Sequence, residues 1–427
     1  MLVTYHRRFL FWWGLLLFLC KLGSRRQLDF QLCDLELWVL ANVNRLSQCE
    51  QESLLVNKTL SHFLGHVGSQ PIAEVRTQCV RRLIRNKVLD GTRLLGCLVF
   101  AVDGTGFLTF KHRHCPHCLG HKYGSVVYYL HPVLEAKLVD TRGLAISIGT
   151  EFIENPLEIA ADQPPDLATL SEYEKVKQDC ELKAFTRLAP QLKAAFPQLR
   201  LCASGDSLYA CGTSLTLCEQ NHWSFVLTFK PGRAPSLWKD FEGLLKLLPN
   251  NRLKARLPDG TQQLYRWVND LDYQDDQGCR HKVNALLLEE TSGQEKHTFA
   301  WLTDFPLRPN IVCAVANQGG RIRSKIENQV FNLQKNSGLN LEHAYSEEPD
   351  ALKALYYLLQ IAHLFLKMFE ISSLLQHLAK EYDCTPLQLF GSLKNLNQRF
   401  LECLRFFELG EEAFASAACQ IRLIDSS

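Results

Sequence analysis

The chain has 427 residues, of which 46% are hydrophobic and 22% charged, with a formal net charge of +2. Two or three domains with a sizeable core fit that length, and the composition excludes a disordered chain and a uniformly basic nucleic-acid coat. Sixteen cysteines stand mostly singly in apolar runs, as Cys97, Cys313 and Cys403 do, so they read as reduced core residues of a cytosolic protein rather than a disulfide framework.

Charge is unevenly spread. Residues 1–100 hold 13 Lys/Arg against 7 Asp/Glu, while residues 151–181 hold 2 against 9. The basic end suits an anionic polymer, and the acidic stretch should face away from it.

The N-terminus opens with His6-Arg7-Arg8 and an apolar run from Phe9 to Cys20. The run is too short to span a bilayer and no small-residue cleavage site follows, so a buried helix is expected. Residues 1–92 read as helical. The segment from Ile72 to Leu89 carries Arg76, Arg81, Arg82, Arg85 and Lys87, an amphipathic basic face that either contacts DNA or is simply solvated.

Strands are expected at 94–103, 124–131 and 143–150. The first, Leu98 to Val102, ends on Asp103 and runs into Gly104-Thr105-Gly106, which alone could be a hairpin turn. Ser171 to Phe196 reads as one helix, with Ser171 and Glu174 spaced as a capping box and Pro197 at its end. A strand at 199–205 leads to Asp206, and Trp223 to Phe229 forms the next. Residues 233–300 break the rhythm and read as a β-rich insertion projecting from the core. A helix follows Pro309, is interrupted near Gly319-Gly320 and resumes from Arg321 to Lys335. The tail is helical, and the polar residues Gln360, His363 and Lys367 inside its apolar stretch mark core rather than membrane.

Strands alternating with helices bring strand ends to one sheet edge, which would make Asp103 and Asp206 neighbours. The stripe Ile322, Ile326, Val330 and Leu333 would pack the last helix on the sheet, leaving Arg323 and Glu327 one turn apart. Three converging carboxylates repel one another unless a divalent cation joins them, and hard oxygen donors suit Mg²⁺ or Mn²⁺. Two such ions can activate a nucleophile and stabilise the leaving oxygen of a phosphodiester. Arg323 and Lys325 suit phosphate, and Lys335 adds charge at the helix end.

Three motifs carry a resemblance. Ala101-Val102-Asp103-Gly104-Thr105-Gly106, Gly205-Asp206-Ser207-Leu208-Tyr209 and the segment from Arg323 through Glu327 to Asn332 resemble the acidic motifs of insertion-sequence DDE transposases with a β-rich insertion before the Glu. The resemblance runs from about Leu94 to Tyr345. It implies an α/β, ribonuclease-H-like mixed sheet flanked by helices, over 93–232 and 301–345. A basic helical region at 1–92, the insertion at 233–300 and a helical region at 346–427 would complete the chain. It implies Asp103, Asp206 and Glu327 as ligands of Mg²⁺ or Mn²⁺. The DNA would carry terminal inverted repeats and be joined to target DNA in a homodimer or larger synaptic complex, nucleoid-associated in the cytoplasm and without a membrane. Two positions differ from the family pattern: Gly320 stands where a Tyr is common three residues before the Arg, and Lys335 lies eight rather than seven residues after the Glu. The other readings are a non-catalytic or domesticated DNA-binding protein on the same fold, and a metal-dependent nuclease without strand joining.

Other residues compete for roles. Glu151 and Glu154 are rivals for the third carboxylate, or else they pair locally. His112, Cys115, Cys118 and His121 recur every three residues, with His114 and His117 between them. They form either a zinc site or a cationic loop near the catalytic edge. Trp223, Trp267 and Trp301 either stack on a base or fill the core. Asn57-Lys58-Thr59 is a sequon without weight in a cytosolic chain.

Overall fold

A computed structural model of the chain describes residues 5–32, 38–113, 115–155, 178–410 and 421–423. The contacts divide it into two compact units. One contains 1–91, 144–147 and 328–427, and the other contains 92–143 and 148–327. The N-terminal and C-terminal helical regions, expected as separate segments, therefore share one unit, and the insertion shares the other with the core.

The first unit is helical. Helix α1 (Arg7–Leu19) buries Phe9, Leu10, Trp13 and Leu15 to Phe18, so the apolar N-terminal run is core. Helices α2 (Arg25–Gln31), α3 (Val39–Ser47), α4 (Asn57–Val67) and α5 (Gln70–Arg85) follow. Near the C-terminus come α9 (Pro349–Ile371) and α10 (Leu393–Phe406). Helix α9 is long and apolar enough to cross a membrane, yet 78% of its apolar window is buried inside the fold. Arg76 of α5 is buried with its guanidinium 5.1 Å from the Tyr357 ring centre of α9, so this cation belongs to the packing and not to the basic face. Arg82 and Arg85 are exposed, and Arg81 pairs with Glu74 at 3.6 Å.

The second unit is built on a mixed sheet. Its strands are β1 (Arg93–Leu94), β2 (Cys97–Phe110), β3 (Leu119–Tyr123), β4 (Val126–Val139), β5 (Ala145–Phe152), β6 (Leu201–Gly205), β7 (Ser224–Thr228), β8 (Arg252–Arg256), β9 (Gln262–Gln274), β10 (Arg280–Ser292) and β11 (Glu295–Thr303). The order is β3-β4-β2-β6-β7-β11-β10-β9-β8, with β1 on β2 and β5 on β4. Strand β2 is antiparallel to β4 and parallel to β6, which is parallel to β7. Helices α6 (Glu181–Ala195), α7 (Gly212–Asn221) and α8 (Pro235–Leu247) belong here. Helix α6 buries Ala184, Phe185, Leu188, Ala189 and Leu192, the stripe of an amphipathic helix. It begins at Glu181, not Ser171. Residues 178–180 are not helical, and the expected cap at Ser171 and Glu174 lies outside the described residues.

Two sequence expectations change. Strand β2 does not end at Asp103. Gly104, Thr105 and Gly106 pair with Leu134, Val133 and Pro132 of β4, and an irregularity follows between Gly106 and Leu108. Ladder pairing with a long neighbour overrides the turn chemistry of the glycines. The segment 233–300 also does not project as a separate subdomain. After α8 it forms the antiparallel run β8 to β11, and β11 pairs with the free side of β7 through Trp301–Thr228, Leu302–Leu227 and Thr303–Val226. Backbone groups that β7 would otherwise expose are satisfied by this extension. At its far end, β8 alternates exposed Arg252, Lys254 and Arg256 with the half-buried Leu253 and Ala255.

Candidate active site

Strands β2 and β6 run parallel through the rungs Leu98–Leu201, Val99–Cys202, Phe100–Ala203 and Ala101–Ser204. Asp103 and Asp206 each stand two residues past the last rung. Parallel neighbours lie about 4.8 Å apart, so this register brings the two chain positions level where the pairing ends. Asp103 is buried within β2. Asp206 begins the short helical turn Ser207–Tyr209, and its Oδ1 accepts from the Leu208 amide at 2.8 Å.

The part of the last helical stretch, 312–336, that lies in this unit packs on β6 and β7. Ser204 donates its hydroxyl to the Gly319 carbonyl at 2.8 Å. A Cβ on Gly320 would lie 2.3 Å from the Trp301 ring, so only glycine lets this backbone come so close. The stretch is wound in part as π-helix, over Val315–Gly320 and Ile326–Phe331. Among its described side chains Val312, Val315, Ala316, Ile322, Ile326, Val330, Phe331 and Gln334 are buried, and Leu333 is only half-buried.

Arg323 on this stretch brings Nη1 to 3.9 Å from Asp103 Oδ2. Glu327 lies in the Ile326–Phe331 turn, and its side chain falls outside the described residues. Lys325 donates to the carbonyls of Asp140 at 3.2 Å and Thr141 at 2.7 Å, so its ammonium holds a loop. Lys335 pairs with Glu342 at 2.8 Å. Its expected phosphate role would need that pair to open.

Three residues that sequence reasoning passed over surround the aspartates. Glu181, at the head of α6, lies so close to Gly104 that a Cβ there would meet Glu181 Oε1 at 2.2 Å. Successive side chains point to opposite faces of a strand, so Glu181 and Arg323 reach the 103–104 pair from opposite faces. Tyr209 donates to Glu181 Oε2 at 3.0 Å. Its hydroxyl is held well above the usual tyrosine range by burial first, then by the charge and hydrogen bond of Glu181, then by Asp103 and Asp206. Tyr209 therefore keeps its proton and acts as donor. Glu135 of β4 is the cross-strand partner of Asp103. It is fully buried, takes the Thr150 hydroxyl, and pairs with the equally buried Lys137 at 3.3 Å. That ammonium offsets one negative charge beside Asp103.

Of the rivals, Glu151 has its carboxylate engaged elsewhere. Glu151 Oε1 takes Arg187 Nε at 2.6 Å, and the Glu154 amide donates to Asp179 Oδ2 at 3.1 Å. The hydrogen bond from Arg187 to Asp179 is the main cause that holds the guanidinium above its usual range. Trp223, Trp267 and Trp301 are buried and offer no stacking face. Asn57 donates to Asp29 Oδ2 at 2.7 Å within the helical unit.

The four-member cluster at 112–121 is not formed. His112 and His121 are exposed, His121 stacks on Tyr123 with ring centres 4.3 Å apart, and His114 lies outside the described residues. His131, from strand β4, joins Cys115 and Cys118 instead. Among the described residues this is the only group of three or more His, Cys, Asp or Glu side chains whose donor atoms all lie within 4.8 Å. The carboxylates of Asp103 and Asp206 would suit a hard divalent cation, but among the described residues no set of three carboxylate donors converges so tightly.

No protein-family model matches the chain, and no curated protein matches it.

Proposed function

We propose that the chain is a DDE-type DNA transposase. It cuts and joins phosphodiester bonds at the ends of a DNA element, with Asp103, Asp206 and Glu327 as ligands of Mg²⁺ or Mn²⁺. The observation that supports this reading is the register of β2 and β6, whose last rung, Ala101–Ser204, stands two residues before each aspartate. The strand order adds support. The first long strand, β2, is central, with antiparallel β4 on one side and parallel β6 and β7 on the other. A ribonuclease-H-like core needs a central strand so placed.

When bound, divalent ions would supply charge stabilisation to a phosphodiester at this edge. The chain's own residues do the rest. Arg323 offers a phosphate its guanidinium fork. Tyr209 fixes Glu181 through its hydrogen bond, and Lys137 limits the negative charge around Asp103. The basic face of α5 is the proposed surface for the double-stranded DNA.

The test uses the purified full chain and DNA that carries the inverted repeats flanking its coding segment. Strand cleavage at the repeat ends with Mg²⁺, absent with EDTA, is the expected result. Specific binding to the repeats without cleavage under Mg²⁺ or Mn²⁺ would favour a non-catalytic DNA-binding protein. Cleavage without any joining to a target would leave a nuclease.

A further inference from the structure

We propose that Cys115, Cys118 and His131 bind one structural Zn²⁺ ion that ties the β2–β3 connection to strand β4. The site is separate from the aspartate pair and does not rest on the transposase reading.

The distances argue first. Cys115 Sγ and Cys118 Sγ are 3.6 Å apart, and His131 Nε2 lies 3.4 Å from the first and 3.0 Å from the second. Tetrahedral zinc, with Zn–S about 2.3 Å and Zn–N about 2.0–2.1 Å, sets two sulfurs about 3.8 Å apart and sulfur and nitrogen about 3.5 Å apart. The S–S edge and the Cys115–His131 edge lie within about 0.2 Å of those values, and the Cys118–His131 edge is shorter by about 0.5 Å. A disulfide would instead need the sulfurs at about 2.05 Å.

The surroundings argue second. Cys118 and His131 are buried and Cys115 is half-buried. Cys118 packs with Tyr129, against Phe110 and Val127. The His131 ring meets Phe107 and Phe110 edge-on, with centres 6.5 and 6.2 Å away. Two thiols and an imidazole sharing an apolar nook select a borderline-soft ion such as zinc over Mg²⁺.

The backbone is also held in place. The Cys115 amide points at Cys118 Sγ at 3.4 Å, as at a thiolate-binding knuckle. The buried Asn155 donates its side chain to the Cys118 carbonyl at 3.1 Å and its amide to the His117 carbonyl at 3.1 Å. Such outer contacts orient ligands before the ion arrives. Binding takes each thiol as thiolate, so two protons pass to solvent, and water or a further donor fills the fourth position.

The experiment is metal analysis of the full chain after dialysis, with X-ray absorption at the zinc edge. About one zinc per chain in a shell containing two sulfurs is expected. Cys118→Ser and His131→Gln should each weaken zinc retention by roughly tenfold or more, while His112→Gln and His121→Gln leave it unchanged. Because the first two variants could misfold, the untouched wild type, stripped and retitrated with Co²⁺, must show thiolate-to-cobalt charge transfer. Metal-free wild type that fails to take up either ion overturns the proposal. So does a Cys115–Cys118 disulfide, or zinc lost equally with His112 or His121.

Discussion

Asp103 and Asp206 follow the same rung: Ala101 faces Ser204, and two residues later Asp103 continues β2 while Asp206 stands just past the end of β6. The alignment is a property of backbone register, so it survives changes at the side chains themselves.

That separation allows a clean test of the chemistry. Asp206→Asn keeps an oxygen for the Leu208 amide and so keeps the local turn. Cleavage of repeat-end DNA should fall by on the order of 100-fold or more, because a lost metal ligand removes several kcal/mol of transition-state stabilisation. Gel-shift affinity should hold. A variant that still cuts at the wild-type rate would remove Asp206 from the mechanism.

The basic face of α5 should behave in the opposite way. Replacing Arg81, Arg82 and Arg85 together with Ala should weaken binding and flatten its salt dependence, by up to about 0.9 in slope per lost phosphate contact. Arg81 already has Glu74, so most of the change should come from Arg82 and Arg85. Gel shifts across a salt series measure it. An unchanged slope would mean that this face is only solvated.

Tyr209 links the site to alkaline stability. Its folded-state pKa lies above the ordinary value of about 10. Its contribution is therefore fully present below pH ~10 and is lost as pH rises through the folded value. Tyr209→Phe should melt lower than wild type at pH 8, by about 1 kcal/mol or somewhat more for the lost bond to Glu181. The gap should narrow toward pH 11, as the wild type alone pays for keeping the phenol protonated. Parallel melting curves across that range would contradict the assignment.

Gly320 tests the packing of the last helical stretch. Gly320→Ala drives a methyl group into buried Trp301 and should cost about 1–3 kcal/mol in thermal or denaturant unfolding. Gly232→Ala, with nothing within 4 Å of the added carbon, should stay within about 0.5 kcal/mol. Equal effects at both positions would show that the close approach to Trp301 is not tight.

Much of the mixed α/β pattern was readable in the chain, because apolar runs such as Leu98 to Val102 and Trp223 to Phe229 have few alternatives to being strands. Where β2 ends was not readable. Gly104 to Gly106 carries turn chemistry, and only the presence of β4 alongside keeps it extended. Glu181 was hidden for a related reason: its approach to Gly104 depends on how α6 seats on the sheet, which no local pattern encodes. His131 belongs to Cys115 and Cys118 because an antiparallel neighbour folds back over the loop. A regular three-residue spacing drew attention to His112 and His121 instead. The return of β11 to the side of β7 likewise depends on an unsatisfied strand edge, a tertiary demand absent from the composition of 233–300.

Strand β8 closes one end of the sheet with Arg252, Lys254 and Arg256 on alternate, exposed positions. Were two molecules to meet there as added strands, like charges would oppose one another rung by rung, at a cost for every pair. The sheet can thus grow by eleven strands within one chain and still refuse a twelfth from another. That refusal protects a broad, hydrogen-bond-hungry border from fibril-like stacking.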